Sequence, residues 1–212
     1  MKRGNEELPN MKKIDNNVIF ENVEYLAKGG FGTIYKAVWK DGDIEQWDSL
    51  SNQWWRKKKW IGHENFPVVL KCLHNSQNIT SEFLREIESH NMIVSNCVTR
   101  CFGITKDPES NNFMIVMEYA KEGSLRQYLN NKFNSIKWAD KLQTLQRITE
   151  GLKSIHVKGL IHHDFHCGNM LKDGKWTIIT DLGLCQPANV KSSQNNECEK
   201  KVYGVLPYVA PE

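Results

Sequence analysis

Apolar residues from Val23 to Trp39 alternate around a glycine cluster, Gly29, Gly30 and Gly32, whereas from Trp138 onward Leu142, Leu145, Ile148, Leu152 and Ile155 recur every three or four residues. A period of two lines one face of a strand, and a period near 3.6 lines one stripe of a helix. This change of period constrains the fold most: a strand-rich first half gives way to a mainly helical second half, an α+β arrangement.

The first half reads as strand, Gly-rich turn and strand over Val23 to Trp39, then a second apolar strand from Pro67 to Leu73 and a third from Phe113 to Tyr119. Between the first two, residues 40–66 break the pattern at Asp41-Gly42 and carry Trp47, Trp54, Trp55 and Trp60, an inserted hairpin or loop. Its tryptophans suit packing back onto the sheet, or, less plainly, a partner-binding patch. Thr80 or Ser81 can cap a helix bearing Phe83, Leu84, Ile87 and Val94, with Glu82 favourable in its first turn. Gly123 suits a hinge, the Trp138 helix ends near Gly159, and Asp173-Gly174 signals a hairpin that leaves Asp181 just after a strand. The expected organisation is a flexible leader over 1–19, a first lobe over 20–120 and a second lobe over 121–212.

Lys and Arg total 28 against 25 Asp and Glu, a net charge of +3 that is too small and too dispersed for a nucleic-acid partner. The run Arg56 to Lys59 reads as a solvated loop. With no apolar stretch of membrane length and no signal-like leader, neither membrane insertion nor secretion is expected, and the default location is cytoplasmic. The six cysteines are scattered, as expected for free thiols in a reducing compartment.

Several polar residues sit where their cost demands a reason. Glycines between two strands let backbone N–H groups approach phosphate oxygens, which side chains would obstruct. Lys71 ends a buried apolar strand, so a carboxylate or anionic ligand should accompany it, and Glu86 on the following helix is the obvious partner. Ile161 to Leu171 places Asp164 and Asn169 five residues apart on a loop between helix and strand, and Asp181-Leu182-Gly183 follows the next hairpin. Asp164, Asn169 and Asp181 could supply a base and two magnesium ligands, the parts that phosphoryl transfer requires. A rival reading is zinc, because His162, His163, His166 and Cys167 lie close together.

In this order, over residues 20–212, these motifs resemble the eukaryotic protein-kinase signature set. Ala27-Lys28-Gly29-Gly30-Phe31-Gly32-Thr33-Ile34 is similar to the Gly-rich loop, Val68-Val69-Leu70-Lys71 to the lysine strand, and Glu86 to its helix partner. His162-His163-Asp164 with Asn169 resembles the catalytic loop, Asp181-Leu182-Gly183 the magnesium motif, and Ala210-Pro211-Glu212 the close of the activation segment. The resemblance implies a two-lobed kinase-like fold, with a β-rich first lobe carrying one key helix and a partial, mainly helical second lobe. It implies ATP and Mg²⁺ as cofactors and a protein as substrate. Lys71 would hold the α- and β-phosphates, Asp164 would orient or deprotonate the acceptor hydroxyl, and Asn169 and Asp181 would bind magnesium. Backbone groups from Glu118 to Ala120 would meet adenine, with Met117 behind it and Ile34, Val69 and Leu171 sandwiching the ring. Phe31, the His-rich catalytic loop and Gly123-Ser124-Leu125, with Ser124 on the nucleotide side, resemble the tyrosine-kinase-like branch, whose members mostly phosphorylate serine and threonine.

The sequence departs from the pattern at several places. Ala27 replaces the first loop glycine, and His163 stands where most members carry the arginine that pairs with a phosphorylated activation segment. Ser192, Ser193 and Tyr203 are therefore expected to be ordinary surface residues. Serine/threonine kinases usually carry lysine where His166 stands and threonine where Val205 stands; His162 to Asn169 also resembles aminoglycoside and choline kinases. The family continues beyond the position of Glu212, so the chain is expected to be a truncated piece, with apolar surface exposed around the Leu142 to Ile155 helix. An ATP-dependent serine/threonine-type protein kinase is the expected function, with a nucleotide-binding pseudokinase or scaffold, or a small-molecule phosphotransferase, as alternatives.

Overall fold

The computed structural model describes residues 14, 20–29, 32–48, 53–57, 65–74, 76 and 81–188, with the backbone alone for 44–48, 53–57 and 81–83. Its elements run β1 (Phe20–Lys28), β2 (Gly32–Trp39), β3 (Asp43–Asp48), β4 (Gln53–Lys57), β5 (Pro67–Leu73), α1 (Ser81–Met92), β6 (Cys101–Lys106), β7 (Phe113–Glu118), α2 (Leu125–Lys132), α3 (Trp138–Val157), β8 (Leu160–Ile161), β9 (Met170–Asp173), β10 (Trp176–Ile179) and β11 (Gln186–Pro187). The fold is mixed α+β and kinase-like, with a five-stranded N-terminal sheet, helix α1 and a helical C-terminal part.

Two compact units are present, one of residues 1–80 and 101–119, the other of 81–100 and 120–212. Residues 81–100, assigned to the first half from the sequence, group with the second unit. There α1 packs on the 3₁₀ turn Leu182–Leu184, and the Thr99 N–H donates to Ile179 O at 2.8 Å.

The first unit is an antiparallel sheet in the order β1-β2-β5-β7-β6. Alternation sends Ala37 and Trp39 of β2, Val68 and Leu70 of β5, and Met114 and Val116 of β7 to one face, where they form a core with Phe66 and Phe102. Trp39 stands at its centre, with ring centroids 5.8 Å from Phe66, 6.1 Å from Phe20 and 6.2 Å from Phe102. Ile14, inside the segment expected to be a mobile leader, is instead buried in this core, and its N–H donates to Ile104 O of edge strand β6 at 2.8 Å. Strand β6 escaped the sequence reading. Gly103 and a register shift between Cys101 and Gly103 interrupt its alternation.

The insertion expected over 40–66 contains an antiparallel hairpin, β3 with β4, in which Trp47 faces Trp54 in register. The side chains of Trp47, Trp54, Trp55, Arg56 and Lys57, and residues Lys58, Lys59 and Trp60, lie outside the described residues, as do the rest of the leader, Thr80, the Phe83 side chain, Cys198 and the activation-segment positions Ser192, Ser193, Tyr203, Val205 and Ala210 to Glu212.

In the second unit Ile93, Val98, Ile155, Leu160, Ile179, Leu182 and Cys185 form the core. Helix α3 runs through the expected stripe, but its buried positions, Gly151 and Ile155, both fall in its C-terminal half, whereas Leu142 and Leu145 are 49% and 59% exposed. Val94, expected on the first helix, lies beyond the end of α1 at Met92 and is exposed. Among the described residues no helix is long and apolar enough to cross a membrane, and Cys72, Cys97, Cys101, Cys167 and Cys185 are free thiols.

Candidate active site

The sheet register gathers the first set of expected residues. Ile34 of β2 pairs with Lys71 of β5, which pairs with Ile115 of β7; Val69 lies between Lys36 and Met117. Side chains two residues apart share a face, so Ile34, Val69, Lys71 and Met117 all lie on the face opposite the Trp39 core. Lys71 is buried there. Glu118 ends β7, opposite Val68.

Ala27 and Lys28 end β1 opposite Ile34 and Thr33, and the Gly29 N–H closes the turn on Gly32 O at 2.9 Å. Gly30 and Phe31 lie outside the described residues. Gly32 has a packing reason of its own, because a Cβ there would meet Cys72 O at 2.5 Å. Strand β5 thus needs a bare backbone at this point of β2.

In the second unit, Ala120 is buried and the chain from Glu122 to Ser124 runs along β9: the Glu122 N–H donates to Lys172 O at 3.0 Å and the Lys172 N–H to Gly123 O at 2.8 Å. Ser124 consequently bridges to Leu171, bringing these two expected residues together. The Ser124 hydroxyl serves α2 in a capping box with Gln127, which satisfies N–H groups of the first turn.

The remaining polar residues of the second unit meet around two loops. Asn169 Nδ2 donates to Asp164 Oδ2 at 2.7 Å and to Asp164 O at 3.0 Å, and His166 Nε2 stands 3.5 Å from Asp164 Oδ1. The Thr180 N–H donates to Asn169 O at 3.0 Å, tying the Asp164 loop to the residue before Asp181. Glu86 on α1 is buried, and a Cβ on Gly183 would lie 3.3 Å from Glu86 Oε2 and 3.7 Å from Asp181 Oδ1. Burial pushes the Cys185 thiol up to about 12, and the charges of Asp181 and Glu86 push it the same way, so it stays a protonated core residue. Glu86, Asp164, Asn169 and Asp181 thus belong to one unit, and Lys71, expected as the partner of Glu86, to the other.

Two backbone conformations in this region had no signature in the sequence. His163 and Asp181 both take φ of 62°, in the left-handed region. Such conformations cost on the order of 1–3 kcal/mol and persist where surrounding contacts impose them, which is common at functional sites.

His162, read from the sequence as the first residue of the catalytic-loop motif or as a zinc ligand, is a structural post. Its Nδ1 accepts the Asp164 N–H at 3.2 Å, so the proton resides on Nε2, which donates to Thr180 O at 3.0 Å. Both nitrogens are used, so His162 is not open to a zinc ion, and among the described residues no three His, Cys, Asp or Glu side chains are grouped to hold a metal ion.

Burial holds the His162 pKa below its ordinary 6.5. The unfolded chain therefore takes up this proton at a higher pH than the folded one, so the stabilisation is whole above about pH 6.5 and declines as the pH falls toward the folded value. Denaturant unfolding between about pH 7.5 and pH 5 should show that decline, and His162→Gln should flatten it. Equal slopes for both proteins would rule out a buried neutral imidazole.

The profile of the protein tyrosine and serine/threonine kinase family matches residues 20–212. The chain belongs to this kinase family. Among its relatives are a mimivirus (Acanthamoeba polyphaga mimivirus) sequence named as a serine/threonine-protein kinase/receptor, 28% identical over 193 residues, and the serine/threonine-protein kinase-like protein CCR4 of Arabidopsis thaliana, 27% identical over 199 residues. The tyrosine-protein kinase receptor svh-2 of Caenorhabditis elegans is 24% identical over 185 residues. These alignments cover 89%, 89% and 87% of the kinase chain but only 10%, 24% and 15% of the three relatives. The kinase chain thus spans a quarter or less of their length.

Proposed function

We propose that this chain is an ATP-dependent protein kinase domain of the tyrosine-kinase-like branch that phosphorylates serine and threonine hydroxyls of protein substrates. The observation that carries the proposal is the Asp164 carboxylate, held at one oxygen by Asn169 and faced at the other by His166, on a loop tied to the Asp181 turn. A carboxylate so held can orient an acceptor hydroxyl and take its proton as the new bond to phosphorus forms. Relatives named as serine/threonine kinases support the choice of acceptor.

The residues present suit ATP and magnesium. The Asp181 carboxylate and the Asn169 amide oxygen are hard oxygen donors of the kind magnesium takes, and both Asn169 hydrogen bonds to Asp164 use Nδ2, so the amide oxygen is not spent on holding the base. Bound there, magnesium would neutralise charge on the transferring phosphate. Lys71 supplies an ammonium for the α- and β-phosphates. Within the first unit, Ala27, Lys28, Gly29 and Gly32 would serve the phosphates, and Ile34, Val69, Met117 and the Glu118 backbone the nucleoside; within the second unit, Leu171, Ser124 and the Ala120 backbone are the candidates for nucleoside contact.

The test has two steps on the purified full chain. Magnesium-ATP at about a hundred times its Kd should stabilise the fold by about 2.7 kcal/mol in a melting assay, and chelation should remove much of that effect. Labelled γ-phosphate should then appear on serine and threonine of a basic test protein. Stabilisation without transfer would favour a nucleotide-binding scaffold, transfer to a small alcohol alone a small-molecule kinase, and phosphotyrosine would overturn the acceptor assignment.

A further inference from the structure

Among the described residues, two side chains face the Asp164 carboxylate, and one of them is a histidine whose proton the backbone places. His166 Nδ1 accepts the Gly168 N–H at 3.0 Å, so a neutral imidazole carries its hydrogen on Nε2, the atom 3.5 Å from Asp164 Oδ1. The side chains of His166 and Asp164 are only 11% and 20% exposed, so water competes weakly for this contact. The separation is at the long limit for a hydrogen bond, a length common in catalytic sites before substrate is bound. The same device occurs four residues earlier, where the Asp164 N–H occupies His162 Nδ1 and directs its Nε2 at Thr180 O. In both cases the amide two residues on selects the tautomer.

Gly168 is part of the device for a second reason. A Cβ at this position would fall 2.7 Å from His166 Cε1 and 2.8 Å from His166 Nδ1, inside any tolerable contact, so a side chain there would displace the imidazole.

We infer that His166, locked by the Gly168 amide as the Nε2–H tautomer, is a positioning residue: together with Asn169 it clamps the Asp164 carboxylate in one orientation, and Gly168 is required to leave the imidazole its place. This rests on the kinase reading above. Asn169 alone pins Oδ2 and leaves rotation about the last side-chain bond; a donor at Oδ1 removes that freedom.

His166→Ala and Gly168→Ala should each lower kcat by about 10–100-fold while leaving the KM for ATP unchanged, because misdirecting the base costs turnover and not nucleotide binding. The double variant should be no slower than the slower single one, since both remove one contact. His166→Lys, which offers a donor at similar reach, should restore most of the loss; alanine and leucine should not. Multiplying effects in the double variant, a raised KM at unchanged kcat, or failure of lysine to rescue would each overturn the inference. A readout independent of turnover comes from long-range ¹⁵N–¹H spectra of the imidazoles. His166 should be protonated at Nε2, with resonances that move in Asp164→Asn. Protonation at Nδ1, or indifference to Asp164→Asn, would overturn the inference even in a chain that transfers no phosphate, whereas absence of transfer with the expected spectra would sink only the kinase reading.

Discussion

Asp164→Asn is expected to lower phosphate transfer by about 10²–10⁴-fold, the contribution of a positioned general base, while magnesium-ATP still stabilises the chain. The carboxylate receives Asn169 Nδ2 at one oxygen and faces His166 Nε2 with the other. An amide in its place has one oxygen and one NH₂, so one of the two donors would meet another donor, and neither end could take the acceptor proton. Ile34, Val69, Lys71 and Met117 belong to the first unit and would be untouched. Transfer of γ-phosphate to a basic test protein, followed beside an ATP-dependent melting shift, separates the two effects. Full turnover in the asparagine variant would remove Asp164 from the chemistry, and loss of ATP stabilisation would show that the substitution damages more than the base.

The largest effect on stability is expected at Trp39. Its side chain is 1% exposed and meets Phe20, Phe66 and Phe102 on the sheet face opposite Lys71. Truncation to alanine removes an indole from the centre of the smaller unit's core and should cost about 3–5 kcal/mol. Trp39 Nε1 is buried and finds no hydrogen-bond partner among the described residues. Trp39→Phe keeps ring packing while deleting that donor, so its cost should stay below about 1.5 kcal/mol. Denaturant unfolding followed by circular dichroism distinguishes them; equal midpoints for the alanine variant and the parent would show that the cluster is not the core of this unit. Val68 and Leu70 precede Lys71 along β5 and join the same core, so the alanine variant should also weaken ATP stabilisation.

Much of this arrangement was legible from local pattern. Alternation announced β2, a short apolar run announced β5, the three-and-four spacing announced α3, and the Asp173-Gly174 turn placed Asp181 beyond β10. Strand β6 was not legible, because a bulge at Gly103 breaks its period, and neither was the docking of Ile14, which lies in a polar segment without helical or strand period. For the candidate site, the order of Lys71, Glu86, Asp164, Asn169 and Asp181 pointed to the kinase family that the profile match shows, but the hydrogen-bond partners of Asp164 were beyond reach. His166 looked like an exchange for lysine; its tautomer depends on an amide two residues away held in one loop conformation.

By itself the sequence determined the kind of elements, their order and the polar groups set among them, because period, turn chemistry and motif order are properties of neighbouring residues. Only the tertiary structure decided that Gly32 must spare Cys72 O, that Gly183 must make room for Glu86, and that residues 81–100 group with the second unit. Those outcomes depend on which atoms distant in the chain come within a few tenths of an ångström of contact, and close packing enforces that limit only once the chain is folded.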